Sequence, residues 1–194
     1  MTLHKTLAAV LAGLLALGLY PAASAAKGFS YSYADVGYQF TDGDDVDFNN
    51  GFVDASFGIF DMFALRAAFR RGNTDDVPGD NQDLTEFRFG GRGHYTVVKK
   101  KLDVFGELMA FNAELNSNRT TRKDVGFIYE GGVRYQAAKK LELDASYKYL
   151  SGDVDEDFGT VGVVYKFSKA FSGTANASFG SDINEYFAGV RLNF

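Results

Sequence analysis

The sequence predicts an all-β fold, an antiparallel transmembrane β-barrel of ten strands that follows a cleaved secretory signal peptide. Three observations point there. The first 25 residues have the layout of an export signal, and period-two alternation of apolar and polar residues runs through the rest of the chain. No later segment has the continuous apolar run of a membrane helix.

The N-terminus decides the solvent. A short start carrying Lys5 leads into the apolar stretch 7–20, and Ala23-Ser24-Ala25 supplies the small residues a signal peptidase inspects. A membrane anchor needs roughly 20 apolar residues; this stretch is shorter and meets Pro21. The expected organisation is a signal peptide over 1–25 and one barrel domain over 26–194. Losing the signal removes Lys5 and no acid, so the formal charge moves from -5 to -6. That balance argues against nucleic acid, whose phosphates need clustered Lys and Arg. The absence of Cys excludes disulfides and thiolate chemistry, and no Pro interrupts a candidate strand.

Ten segments alternate: 29–40, 52–59, 63–71, 85–97, 102–113, 125–137, 141–150, 158–167, 171–180 and 185–194. Most have about the 9–11 residues with which a tilted strand crosses a bilayer. Their connections alternate as well. Four are tight, around 60–62, 98–101, 138–140 and 168–170; five are longer or more polar, at 41–51, 72–84, 114–124, 151–157 and 181–184. Short periplasmic turns and longer external loops, with both termini inside, give this pattern for ten strands. The second and third segments are the shortest, which leaves an eight-stranded barrel with one hairpin outside the wall as the alternative.

The faces favour a membrane barrel over a soluble sandwich. In the last segment Tyr186, Ala188, Val190, Leu192 and Phe194 share one face, and Phe187, Gly189, Arg191 and Asn193 the other. The first set has the form of a C-terminal signal read by outer-membrane assembly machinery. Elsewhere aromatic residues gather near segment ends with small aliphatic ones between them, as interfacial girdles require. The first segment is ambiguous: Phe29, Tyr31 and Tyr33 alternate on odd positions, whereas Val36, Tyr38 and Phe40 alternate on even ones. Either a bulge lies near Ala34 or the first three aromatics point into the lumen.

With the apolar faces toward lipid, the opposite faces line the lumen. They carry the acids Asp35, Asp54, Glu86, Asp103, Glu107, Glu130, Glu142 and Asp144, and the bases Arg66, Arg70, Arg88, Arg92, Arg134, Lys148, Lys166 and Arg191. Eight oppose eight, as an interior network of ion pairs needs, because unpaired buried charge is costly. A ten-stranded barrel is narrow, so a charge-paired filling is expected rather than a diffusion pore.

Other chemistry finds little footing. His94 is the only histidine after the signal, with Thr96 on the same face; a histidine-activated hydroxyl is reasonable chemistry, but the pair sits near a periplasmic turn, and no catalytic residue is assigned. Acids cluster in the external loops at Asp42, Asp44, Asp45 and Asp47, at Asp75, Asp76, Asp80 and Asp83, and at Asp153, Asp155, Glu156 and Asp157, without the spacing of a calcium loop. No metal or cofactor is expected. Arg119, Arg122 and Lys123 in the third loop, and Lys99–Lys101 and Lys139-Lys140 in two turns, suit anionic headgroups on the two sides of the membrane.

Two stretches carry a family resemblance: Phe29-Ser30-Tyr31-Ser32-Tyr33 followed by Asp35-Val36-Gly37-Tyr38, and Glu185-Tyr186-Phe187-Ala188-Gly189-Val190-Arg191. With the ten segments between them, the chain resembles the small outer-membrane barrels known as diffusible or sulfation-dependent quorum factors. The resemblance implies a small barrel in the outer membrane of a Gram-negative bacterium and transfers no catalytic residue.

The expected partners are outer-membrane lipids and lipopolysaccharide, and, during biogenesis, periplasmic chaperones and the assembly machinery; the barrel is expected to be monomeric. Three roles compete: a structural or surface-interaction barrel, a narrow channel for ions or small polar solutes, and a lipid-modifying barrel enzyme. The first needs nothing beyond the paired lumen and polar loops. If the terminal pattern directs assembly, Phe194→Ser lowers the amount of folded protein in the outer membrane without reducing export. Heat-modifiable mobility of membrane fractions reads this, and unchanged assembly would remove the role given to Phe194.

Overall fold

A computed structural model describes residues 29–43, 47–74, 82–117, 120–153 and 155–194. The predicted signal peptide, Asp44, Asp45, Asp75, Asp76, Asp80 and Arg119 lie outside the described residues. Ten strands follow one another: β1 Tyr33–Gly43, β2 Phe48–Phe60, β3 Phe63–Thr74, β4 Gln82–Val98, β5 Leu102–Asn116, β6 Thr121–Ala138, β7 Leu141–Ser151, β8 Glu156–Lys166, β9 Phe171–Phe179 and β10 Ile183–Asn193. Each pairs antiparallel with its chain neighbours, and β1 closes on β10, so the sheet is a barrel without edges. All ten strands lie in the wall, which removes the eight-stranded alternative.

The closing seam runs in unbroken register, with Asp35 opposite Arg191, Val36 opposite Val190 and Gly37 opposite Gly189. It is tightly fitted. A Cβ on Gly37 would come within 2.3 Å of the Ala188 carbonyl oxygen and 2.8 Å of the Phe187 ring.

Period two decides the rest. Even positions of β1 put Val36 and Tyr38 outside, while Tyr33, Asp35 and Gln39 are buried within. The continuous ladders of β1 exclude a bulge near Ala34. Phe29, Tyr31 and Tyr33 are therefore lumen aromatics, Tyr31 being 5% exposed. The outer face is an apolar band with exposed aromatics toward both rims. Phe40, Tyr186 and Phe179 adjoin one another near the external ends, as do Tyr129 and Tyr149, and Tyr165 meets Phe167 at the other end.

The strands run beyond the alternating segments. Glu114 pairs with Lys123 and Asn116 with Thr121, so much of the stretch 114–124 is ladder rather than loop. Similarly, β1 and β2 extend into 41–51. Outside the bilayer both faces meet water, and apolar alternation lapses while backbone pairing continues. Strand length is uneven: 17, 15 and 18 residues for β4, β5 and β6, against 11, 9 and 11 for β8, β9 and β10.

Three of the four short turns are preceded by a register shift, at Gly58/Phe60, Thr96/Val98 and Gln136/Ala138. In the β4–β5 turn Lys100 adopts φ 61°, a left-handed conformation that favours glycine. Lys100→Gly should leave unfolding stability unchanged or raise it slightly, whereas Lys100→Val should lower it by about 1–2 kcal/mol. Denaturant titration followed by circular dichroism checks both.

Candidate functional site: the charged lumen

The register places all sixteen charged residues read from the sequence on the inner face. Inward charge follows from the lipid outside, because alternate side chains have nowhere else to go. The geometry then shows which of these groups meet.

Toward the external loops, Arg70 spans Glu86 at 2.6 Å and Glu185 at 2.9 Å, and Arg88 pairs with the other Glu86 oxygen. Lys148 reaches Glu185 at 2.7 Å, and the Gln39 amide donates to the same carboxylate at 3.0 Å. Glu156, expected in a loop, instead opens β8, is buried and accepts the Ser181 amide at 2.7 Å, and Glu185 is a further lumen acid. It shares the inward parity of Phe187, Gly189 and Arg191, so the alternation carried the signal, but as the first residue of the expected strand it was assigned to neither face.

In mid-barrel, Arg66 donates to Asp54 and, through Nη1, to both Glu107 oxygens at 2.7 Å. Arg92 also reaches Glu107 at 2.7 Å and stands 3.6 Å from Glu130. This arrangement offsets an adverse register, since Glu107 and Glu130 lie directly opposite each other, as do Asp35 and Asp54. Arg191 relieves the second pair by a two-pronged contact with Asp35, at 2.8 and 2.7 Å.

Toward the periplasmic turns, Arg134 donates to Glu142 at 2.7 Å, and Lys166 lies 3.7 Å from the same carboxylate. Two acids depart from the expected pairing. Asp103 accepts the Tyr31 hydroxyl at 3.1 Å rather than a cation, and Asp144 makes no ion pair among the described residues.

Aromatic rings cover several of these cations, which the reading of charges alone missed. Arg134 lies over Phe29 and Tyr31, 5.0 and 4.5 Å from the ring centres, and Arg191 lies 3.8 Å over Tyr33. Arg92 sits over Phe105 and Lys148 over Phe158, both at 4.1 Å. Cation–π attraction of roughly 0.5–2 kcal/mol each helps offset desolvation. The outer half of the lumen also holds an apolar cluster, Met109, Phe111 and Ile128, with Ala113 and Leu150 against it.

Residues 29–32 precede β1 and fold into the periplasmic mouth. Ser56 Oγ donates to the Tyr31 carbonyl at 2.8 Å, the Gly58 amide donates to Ser32 Oγ at 3.2 Å, and Arg134 reaches the Ser30 carbonyl at 3.3 Å. The Tyr31 ring stacks on His94 with centres 3.5 Å apart and planes 8° from parallel. His94 is therefore a covered wall residue. It makes no hydrogen bond with Thr96, which is exposed. Between this segment and the outer half lies a polar cavity of about 160 Å³, whose lining includes Asp35, Arg66, Arg88, Glu130, Asp144 and Arg191.

The family profile for the outer membrane protein beta-barrel domain matches residues 9–167, from within the predicted signal to just past the end of β8. The chain belongs to that family. It is a Gram-negative outer-membrane β-barrel. No curated protein matches it. Among solved structures, a KdgM porin in complex with disordered oligogalacturonate is 14% identical, with a TM-score of 0.43 over 84% of this chain and 99% of that one. Ail, the attachment invasion locus protein of Yersinia pestis, is 12% identical, with a TM-score of 0.42 over 84% and 99%. The translocator domain of the autotransporter NalP from Neisseria meningitidis is 11% identical, with a TM-score of 0.47 over 98% of both chains. No ligand or partner of these proteins carries over. The family match is to outer-membrane barrels in general and lends nothing to the quorum-factor label.

Arg134→Met should lower unfolding stability by roughly 3–5 kcal/mol, because Glu142 would keep only the distant Lys166. Arg134→Met combined with Glu142→Leu should recover most of that loss. Urea titrations of the refolded barrel measure the coupling, and a wild-type midpoint for the single variant would mean that these charges are solvated.

Proposed function

We propose that this barrel is a closed outer-membrane protein with a structural or surface-interaction role, its lumen filled by paired charges and its external strands and loops forming the working surface. The observation that carries this reading is the filling of the periplasmic mouth by residues 29–32, where Tyr31 lies between His94 and Arg134 and hydrogen-bonds Asp103. Ion pairs occupy the section above it, and the apolar cluster of Met109, Phe111 and Ile128 thickens one wall toward the outside. On the external side, the β5–β6 hairpin carries the exposed Arg122 and the Lys123–Glu114 pair (3.1 Å), groups suited to phosphates and sugars of the outer leaflet. Nothing in this reading uses a catalytic group, and a secreted-signal role has no counterpart in a membrane-embedded wall.

A narrow channel for ions or small polar solutes is the second reading, and the polar cavity favours it. Asp54 and Asp103 each have one buried carboxylate oxygen without a protein partner, as does the Asn50 side-chain carbonyl. Buried polar atoms of this kind recruit water, and a chain of waters past Asp144 and Glu130 would make a cation path.

Planar-bilayer recordings on the refolded barrel separate the two. Wild-type protein is expected to be silent, and Phe29→Ser with Tyr31→Ser is expected to open small, reproducible steps by emptying the periplasmic mouth. Single-channel steps from the wild type would assign the channel reading instead.

A further inference from the structure

The periplasmic rim carries a second cluster of cations, beside the lumen mouth. The β6–β7 turn, Lys139-Lys140, and the segment after β8, residues 167–170, lie side by side there. The Lys166 amide donates to the Lys140 carbonyl at 2.8 Å, tying the first to the end of β8. The Asn193 amide donates to the Ala170 carbonyl at 2.7 Å, and its side chain reaches Ser172 Oγ at 3.0 Å, tying the second to β10. Ser168 Oγ accepts the amides of Ala170 and Phe171, fixing the turn itself.

These ties frame a pocket of about 580 Å³ whose lining brings together Lys139, Lys140, Lys166 and Lys169 with Phe167 and Phe194 and includes no Asp or Glu. Lys139, Lys140 and Lys169 are exposed and make no ion pair among the described residues. Three exposed lysines on a hydrogen-bonded frame, with the Lys166 ammonium turned to Gln136 and Glu142 behind them, form a concentrated positive field that calls for an anion. The neighbouring surface says where that anion comes from. Phe167 and Phe194 are exposed on the outer face beside Tyr165 and Phe171, in the aromatic belt at the periplasmic interface. The pocket thus opens at the level of the inner-leaflet headgroups, with rings for acyl chains below and ammonium groups for phosphate above.

We propose that this pocket holds the headgroup of one anionic glycerophospholipid from the periplasmic leaflet. The sequence marks Lys139-Lys140 and the Lys99–Lys101 turn alike as basic; only the fold adds Lys169 and two belt aromatics to the first of them.

Native mass spectrometry of the full barrel in a neutral detergent tests this, with phosphatidylglycerol and phosphatidylcholine of identical acyl chains. The wild type should retain one phosphatidylglycerol at least about tenfold over phosphatidylcholine, since each lysine near an anionic lipid contributes about 1 kcal/mol and 1.4 kcal/mol is tenfold. The triple variant Lys139→Ala, Lys140→Ala, Lys169→Ala should lose that preference, while Lys99→Ala with Lys101→Ala should keep it. Equal retention of the two lipids by the wild type would overturn the proposal without recourse to any variant. Displacement of phosphatidylglycerol by inorganic phosphate at equal concentration would overturn it too, by assigning the site to a soluble anion.

Discussion

Hydrocarbon offers a peptide group no hydrogen-bond partner, and every other feature of this molecule follows from that constraint. An unpaired amide or carbonyl in lipid costs several kcal/mol, so a sheet that crosses the membrane must close. The seam between β1 and β10 is where closure happens. Its eleven-residue register, from Tyr33–Asn193 to Gly43–Ile183, leaves no frayed stretch facing lipid. The glycines Gly37 and Gly189 let the two backbones and the Phe187 ring approach closely there.

Closure with a two-residue period sends half the side chains inward, and in so narrow a tube they must satisfy one another. The solution here is sharing rather than one-to-one pairing. Glu107 serves Arg66 and Arg92; Glu185 serves Arg70 and Lys148; Glu86 serves Arg70 and Arg88. Aromatic rings at Tyr33, Phe105 and Phe158 then cover cations that carboxylates only partly surround. Loss of one member therefore disturbs several others, and single substitutions in such a network are not additive.

Most of the wall was legible in the sequence because alternation is strictly enforced wherever one face meets lipid. Strand count, the position of each turn and the inward placement of the sixteen charges follow from parity alone. Strand ends were not legible at the external side, since Glu114, Asn116 and Thr121 pair by backbone while both their faces are wet. Phe29 and Tyr31 broke the rule that rings face lipid because residues 29–32 are a tail inside the mouth, while Tyr33 stands in the wall at an inward position under Arg191. Glu185 escaped through its place at a strand start. Met109, Phe111 and Ile128 escaped because apolar residues on a lumen face have no polar partner to announce them.

The uneven strand lengths give the barrel a slanted rim. At about 3.3 Å per residue, β6 is on the order of 60 Å long and β9 about 30 Å. On one side a paired parapet of β4, β5 and β6 stands beyond the external aromatic belt; on the other the ladder stops at that belt, with Phe179 ending β9. The mouth therefore faces sideways. A large object approaching over β9 and β10 finds it low and accessible, whereas one approaching over β5 and β6 meets a wall that cannot bend without breaking its ladder.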